Sequence, residues 1–379
     1  MSLGDILLVA DTATVDLTNN ADRYIIADAV RIRPQHRACC EQGNCPSWGA
    51  GVSRLMLMNP TNGDVMKIFI AGASGAIGSH LVLQLVARGH DVVGTTRSAA
   101  KTGALRALGA EPAVVDALDP EAVADAVAKA EPEVVVHQLT AIGGKPTFRE
   151  VKRMTAATNR LRTEGTDHLL AAARAVGVRT FVAQSNAIWV ERTGGPVTDE
   201  NGRLEPNPPK DAEPLVDALR HLEDAVTRIS WADGIALRYG NFYGPGTGVE
   251  TAPGAVMAEL LRKRMVPIIG DGGAMTSWVH ITDAASATVA AIERGKPGIY
   301  HVADDEPAPA RVILSELARA VGAKPPRRVP AWLVRLVAGQ APVHMMTRAS
   351  GISSEKIKRE LGWTPRYPSW RTGFAEGLR

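Results

Sequence analysis

Lys67-Ile68-Phe69-Ile70-Ala71-Gly72-Ala73-Ser74-Gly75-Ala76-Ile77-Gly78-Ser79-His80-Leu81 begins a stretch that runs to Arg97, and its reading decides the fold. Lys67 to Ala71 is a short apolar run of the kind buried on both faces of a parallel sheet. Gly72, Gly75 and Gly78 follow at GxxGxxG spacing. The first allows a tight turn, the second lets backbone approach a pyrophosphate, and the third lets helix and strand pack closely. Ile77, Leu81, Leu85 and Val86 continue with a helical period. The amides of that first turn would face phosphates, with Ser74, Ala76 and Ile77 beside the glycines. Gly89-His90 ends the helix, and Asp91 to Thr96 returns as a second strand. Three glycines alone are a weak signal. A strand before them, a helix after and a second strand on schedule make a dinucleotide-binding fingerprint.

The end of the second strand bears on which dinucleotide. A protein that takes NAD commonly holds the ribose 2′-hydroxyl with Asp or Glu there. This chain has Thr95 and Thr96, then Arg97 and Ser98, with Lys101 nearby. A carboxylate would repel a 2′-phosphate, whereas a guanidinium and hydroxyls would bind one. The expectation is NADP(H) over NAD(H), with Arg97 as the main determinant and Thr96 beside it.

Working outward, residues 102 to 110 suggest a short helix and Ala113 to Asp116 a third strand. Asp116 and Ala117 fall where a dinucleotide fold commonly touches adenine. Pro120 to Ala130 reads as a helix with Asp119 as N-cap. Glu133 to His137 is a fourth strand, whose end, Gln138-Leu139-Thr140-Ala141, should line the cofactor cleft. One long helix is expected from about Val151 to Val176, then a fifth strand from Thr180 to Gln184. This alternation predicts an α/β fold, a Rossmann-type doubly wound parallel sheet. A smaller C-terminal α/β part follows, with helices over 252–264, 281–294, 312–321 and 353–361 and an amphipathic stretch over 332–336. The expected division is residues 66–240 for the dinucleotide domain and 241–379 for a mainly substrate-binding domain with segments returning to the first.

Residues 1–65 differ from the rest. They hold all three cysteines, Cys39, Cys40 and Cys45, and have little sustained periodicity. With His36 the cysteines could be read as a zinc site, but the paired Cys-x2-Cys and His-x3-His elements are missing. A disordered or loosely docked extension is expected instead, and no metal. The 379 residues carry a net charge of +3 with basic residues scattered, so nothing in the overall balance indicates nucleic acid or an anionic membrane. No apolar run approaches the ~20 residues that span a bilayer, and no signal-peptide core is evident, so a cytoplasmic protein is expected.

From Lys67 onward the chain resembles an extended short-chain dehydrogenase/reductase of the NAD-dependent epimerase/dehydratase group. The matching pieces are the glycine turn, Asn159 with Glu164-Gly165-Thr166, Phe181 to Asn186, Leu237 to Gly246, and Val279 to Asp283. The resemblance implies a Rossmann domain closed by a smaller domain over substrate. It adds Asn159 and Gln184 to the cofactor contacts and implies a helix-mediated homodimer. It also implies a Ser or Thr, with Tyr and Lys as Tyr-x-x-x-Lys on one helix face, where the ammonium lowers the phenol pKa. Here the chain departs. Of Tyr24, Tyr239, Tyr243, Tyr300 and Tyr367, none has Lys four residues on. The expected helix offers Leu215 and Leu219, or in a shifted register Val216 and Arg220. Ser185 or Asn186 could hydrogen-bond a substrate oxygen. Substitute acids are His221, on the expected helix, and Tyr243, in a loop that the resemblance places toward substrate.

The arginine that nucleotide-sugar enzymes of this group tend to carry before the aromatic-Val-His segment is also missing, the residues being Ala274 to Trp278. Trp278, Trp189 and Met275 suggest a partly apolar pocket, while Met345 and Met346 read as gap-fillers. The expected function is an NADP(H)-dependent oxidoreductase acting on a small carbonyl or alcohol, the small molecule being its only anticipated partner besides a second copy. A nucleotide-sugar epimerase or dehydratase and a non-catalytic NADP(H) sensor are the alternatives.

Overall fold

Every second side chain of the first strand faces a different hydrophobic core, and the architecture follows from that alternation. The computed structural model describes residues 6–8, 11–16, 31–33, 65–143 and 148–378. Seven strands form one parallel sheet: Lys67–Ala71 (β1), Asp91–Thr96 (β2), Glu111–Val114 (β3), Val134–His137 (β4), Thr180–Asn186 (β5), Asp233–Tyr239 (β6) and Gly298–Val302 (β7). Their order is β7-β6-β5-β4-β1-β2-β3. The order reverses between β1 and β4, and a ligand crevice opens beyond the carboxyl ends of the strands at such a reversal.

The helices are Ala76–Ala87 (α1), Thr102–Ala107 (α2), Pro120–Ala130 (α3), Phe148–Arg162 (α4), Glu164–Ala175 (α5), Glu213–Thr227 (α6), Val256–Arg262 (α7) and Ile281–Arg294 (α8). Then come Ala310–Ala320 (α9), Ala331–Ala338 (α10), Ala341–Thr347 (α11), Glu355–Leu361 (α12) and Trp370–Glu376 (α13). Ile68 and Ile70 pack with Leu81 and Leu85 of α1 and with α8. Phe69 and Ala71 face the other way, into Val123 and Val127 of α3, Leu169 of α5 and Leu222 of α6. The sheet is therefore covered on both sides, as the apolar runs of its strands require.

Local chemistry sets the element ends. Asp119 accepts hydrogen bonds from the Glu121 and Ala122 amides at 3.1 Å each and caps α3, as its sequence predicts. The long helix expected over 151–176 is instead two helices. Thr163 leaves helical geometry (φ −97°, ψ −84°), and its hydroxyl donates to the Asn159 carbonyl at 3.1 Å. Such back-bonding by threonine bends or interrupts a helix. The Arg160–Glu164 pair bridges the break.

After Tyr239 the chain builds a smaller layer around Tyr243, Leu261, Trp278, Ile313, Leu317, Trp370 and Phe374. Two short strand pairings anchor it, Asn241–Tyr243 with Trp278–His280 and Met275–Thr276 with Ala308–Pro309. Arg328–Val329 pairs with Ile268–Ile269. Segments of the same region return to the main sheet: β7 forms its edge, while α8, Leu361 and Trp363 join the core beneath it. None of the described helices is long and apolar enough to cross a membrane.

The leading unit, residues 1–59, contains the short strands Ile6–Leu8, Asp11–Asp16 and Arg31–Arg33, paired antiparallel in that order. His36, Cys39, Cys40 and Cys45 lie outside the described residues.

Gly78 is the tightest point of the β1–α1 contact: a Cβ there would sit 2.3 Å from the Gly72 carbonyl oxygen and 2.7 Å from Ala73 Cα. Both neighbours are backbone, so neither can swing aside. Gly78→Val is expected to destabilise the protein by about 1–3 kcal/mol or more in urea unfolding and to weaken dinucleotide binding measured by fluorescence titration.

Candidate active site

The glycine turn leaves β1 through Gly72, whose φ of +94° suits glycine, and a Cβ there would strike the Gln138 carbonyl at 2.7 Å. Gly75 is the N-cap of α1 and supplies no capping side chain. The first-turn amides of α1, including those of Ala76 and Ile77, thus have no cap of their own, a ready anion cradle. The Gly72 amide donates to Thr95 Oγ1 at 3.1 Å, and Ser74 Oγ donates to Thr96 Oγ1 at 3.2 Å. Thr96 also accepts from the Ser98 amide at 3.2 Å. Thr96 is buried, and both bonds use its oxygen as acceptor, so its hydroxyl proton stays uncommitted. Arg97 is exposed and makes no ion pair or side-chain hydrogen bond with another described residue, so its guanidinium is free to pair.

Farther along the cleft, burial pushes the His137 imidazole down to about 4. The neutral ring accepts from the Leu139 amide at 3.2 Å and donates to the Leu161 carbonyl at 3.2 Å. Thr158 Oγ1 accepts from the Ala141 amide at 3.0 Å. Together they fix the half-buried Leu139-Thr140-Ala141 segment. Asn159 Oδ1 is buried without a partner, an acceptor that a bound hydroxyl or amide could satisfy. Asp116 is exposed, and its Oδ1 accepts from the Leu118 amide at 3.1 Å, which shapes the turn carrying Ala117. Gln184 is half-buried toward the carboxyl end of β5. Uncapped helix amides, the glycine cradle and an orphaned acceptor fit a dinucleotide.

The proposed acids fare differently. Ser185 is buried, and its hydroxyl donates to Glu223 Oε1 at 2.5 Å. Glu223 also receives the Arg238 guanidinium at 2.8 and 2.7 Å, so Ser185 belongs to a buried structural network. Asn186 is half-buried, and its Oδ1 accepts from the Ile188 amide at 2.7 Å, which leaves its amide donors uncommitted. His221 is on the outer face of α6, half-exposed and 2.8 Å from Asp167 of α5, which removes it from the cleft. Tyr243 is fully buried against Trp278, His280 and Phe374. Its hydroxyl has no partner, and burial drives its pKa well up. A sealed phenol with no relay does not exchange protons with a ligand, so Tyr243 is a packing residue. On α6, Leu215 and Leu219 add only apolar surface, while Arg220 is tied to Asp217 and the Glu205 carbonyl.

Where β5 and β6 end, a cavity of about 130 Å³ lies between the sheet and the smaller layer. Ile188, Met275, Trp278, Leu314, Met345 and Met346 give it an apolar lining. Met345 and Met346 therefore wall a cavity rather than only filling gaps. Trp189 stacks on His344 with centroids 5.1 Å apart. Polar groups at the cavity are few. Thr276 and Ser277 spend their hydroxyls on the Ala308 and Ile352 carbonyls, and Asn241 retains an uncommitted side-chain oxygen. Sequence reasoning missed Asn241 and Ile188, although each comes two residues after the end of a strand at the cleft. A cavity of roughly 150 Å³ takes one benzene ring, so this one is on the scale of a single small ring.

Asp304 follows β7, and its Oδ2 is buried without a partner. Burial raises its carboxyl from 3.8 to about 8. A folded pKa above the unfolded one favours the protonated form on folding, so stability present below about pH 4 is lost as pH rises toward 8. Asp304→Asn should flatten this dependence and stabilise the protein at pH 8, with little change at pH 4, in thermal melts across that range. Ser185→Ala should cost about 1–3 kcal/mol of stability yet leave turnover within a few-fold, because its partner is a buried carboxylate and not a ligand. His221→Ala and Tyr243→Phe should likewise keep turnover, and the phenylalanine should not lower the unfolding midpoint.

Both the sequence and the fold match known proteins. Residues 68–303 match the family described as the NAD dependent epimerase/dehydratase family. A 3-diazoavenalumate denitrifying reductase from a Streptomyces species is 44% identical over 82% of this chain and 99% of its own length. A 2-alkyl-3-oxoalkanoate reductase from Stenotrophomonas maltophilia is 27% identical over 83% of this chain and 98% of its own. Among solved structures, a UDP-glucose 4-epimerase from Thermus thermophilus in complex with NAD superposes with a TM-score of 0.63 at 25% identity, covering 83% of this chain and 98% of that one. The chain belongs to the NAD-dependent epimerase/dehydratase family and is an NAD(P)-dependent oxidoreductase.

Proposed function

We propose that this chain is an NADP(H)-dependent reductase whose substrate is a small aromatic molecule bearing a diazonium group. One observation carries the reading: among the described residues, none of the candidate acids Ser185, His221 and Tyr243 presents an acidic proton to the cleft. Ser185 is held by Glu223, His221 faces Asp167, Tyr243 is sealed, and Leu215 and Leu219 line the helix face where a phenol and an ammonium would act. Carbonyl reduction needs a proton as well as a hydride, and general acid catalysis contributes about 10²–10⁴-fold there. When bound, NADPH would supply hydride; at an aromatic diazonium carbon the new C–H bond would replace the C–N bond as dinitrogen leaves, so the balance closes without a proton. The protein's part is then to orient the acceptor and exclude water. Trp278, Met275, Met345 and Met346 offer an apolar slot for a small ring. Asn241, in the cavity wall, offers its side-chain oxygen to the polar end. The similarity to a denitrifying reductase supports the same substrate class.

The preference for the phosphorylated cofactor rests on Arg97, exposed and unpaired just beyond β2 where a carboxylate would serve NAD. Arg97→Asp should weaken NADPH binding by about 10- to 100-fold, a loss of the size expected for one charge-assisted contact, while NADH binding holds or improves. Equal affinities in the two proteins would remove Arg97 from the cofactor reading. A second reading, carbonyl reduction with water as the proton source, is favoured by the uncommitted Asn186 donors.

Isotope placement separates the readings. With NADPH deuterated at C4 and an aromatic diazonium acid in ordinary water, the expected product carries deuterium at the carbon that lost nitrogen. One dinitrogen is released per cofactor oxidised, and rates in D2O and H2O are equal. Turnover of ketones with a solvent isotope effect and no turnover of diazonium compounds would favour the second reading. Tight NADPH binding without turnover of either class would overturn both in favour of a sensor.

A further inference from the structure

The overall charge of the chain conceals a local imbalance. From Ala320 to Ser354 there is no Asp or Glu, but there are Lys324, Arg327, Arg328, Arg335 and Arg348. None of these five forms an ion pair within the described residues, and all five are exposed. In their midst lies α10, an eight-residue helix that starts after Pro330 and stops at Gly339. It has no buried residue. Trp332, Leu333, Leu336 and Val337 are exposed by 63%, 41%, 77% and 75%. The spacing i, i+1, i+4, i+5 puts them on one side of the helix. A helix this short gains little from its own hydrogen bonds, and a contiguous apolar ridge of this kind marks an interaction surface.

We propose that this face docks reversibly on an anionic lipid surface. Three observations select that occupant. The apolar side chains stand out as a ridge and include a tryptophan, the arrangement of an interfacial helix. The flanking cations are unpaired and adjacent in sequence, so they complement an acidic surface. The same cations disfavour a second copy, because a symmetric contact would bring two unpaired basic clusters together. α10 packs on α11, which contributes Met345 and Met346 to the cavity wall. An aromatic substrate at the lipid surface would therefore meet the protein on the side that walls its cavity. The contact is superficial, since no described helix can span a bilayer.

Flotation of the full chain with vesicles tests this. With vesicles of about 30% phosphatidylglycerol in phosphatidylcholine at low salt, the protein should float, and pure phosphatidylcholine should retain it about tenfold less. Leu336→Asp with Val337→Asp, and separately Arg327→Glu with Arg328→Glu, should each abolish flotation while leaving NADPH binding intact. Emission from Trp332, taken as the difference between the wild type and Trp332→Phe, should shift to the blue on vesicle addition. Failure to float would overturn the proposal, as would equal flotation of the aspartate variant, which would indicate charge attraction alone. Concentration-dependent dimerisation without vesicles that the aspartate variant abolishes would also overturn it and make the ridge a contact between copies.

Discussion

The structure depends on one close approach of backbone to backbone. At Gly78 the first turn of α1 lies against the Gly72 carbonyl and Ala73, with no room for a side chain. That contact aims the helix axis at the crevice where the strand order reverses. It also leaves the amides of α1 without a cap, because Gly75 has none to give. Packing and ligand binding are thus the same constraint: whatever loosens the β1–α1 contact also misdirects the amides.

A second constraint sits deeper. Arg238 of β6 and Glu223 of α6 form a buried bidentate pair, completed by Ser185 of β5 and the Gly202 carbonyl. Breaking such a pair by removing one partner commonly costs about 3–5 kcal/mol, since the other charge is left buried. The network clamps the ends of β5 and β6 to α6, the elements that border the cleft. It also occupies the serine that would otherwise be the natural candidate to polarise a substrate. What looks like a catalytic remnant in the sequence is a rivet in the structure.

Much of the fold was legible because it rests on local pattern. The apolar run of β1, the spaced glycines and the Asp119–Pro120 cap each announce themselves within a few residues. The site was less legible because it depends on which way side chains point. Ser185 and Asn186 are neighbours on a strand that continues to its last residue, so they take opposite sides. Only the buried partner Glu223 decides which of them meets the cleft. For His221 a signal was present: the buried stripe of α6 runs through Val216, Leu219, Leu222, Glu223 and Val226, and His221 lies off it. The cavity lining was hardest, since Ile188, Asn241, Leu314 and Met345 come from four separated segments that meet only after folding.

The last strand of the sheet has a consequence for how the protein is made. β7 is contributed by residues 298–302, after the chain has begun its smaller layer with Tyr243, Leu261 and Trp278. Until it arrives, β6 is an open edge carrying Ile235, Leu237 and Tyr239, a template for pairing with the wrong chain. Contacts of this sequence separation form late and slow folding. A nascent chain emerging from the ribosome would hold that edge unprotected while some sixty further residues are synthesised, an interval set by ordinary elongation rates of about 5–20 residues per second. The two layers therefore cannot be separated by cutting the chain after β6, because the nucleotide-binding half is closed by the half that follows it.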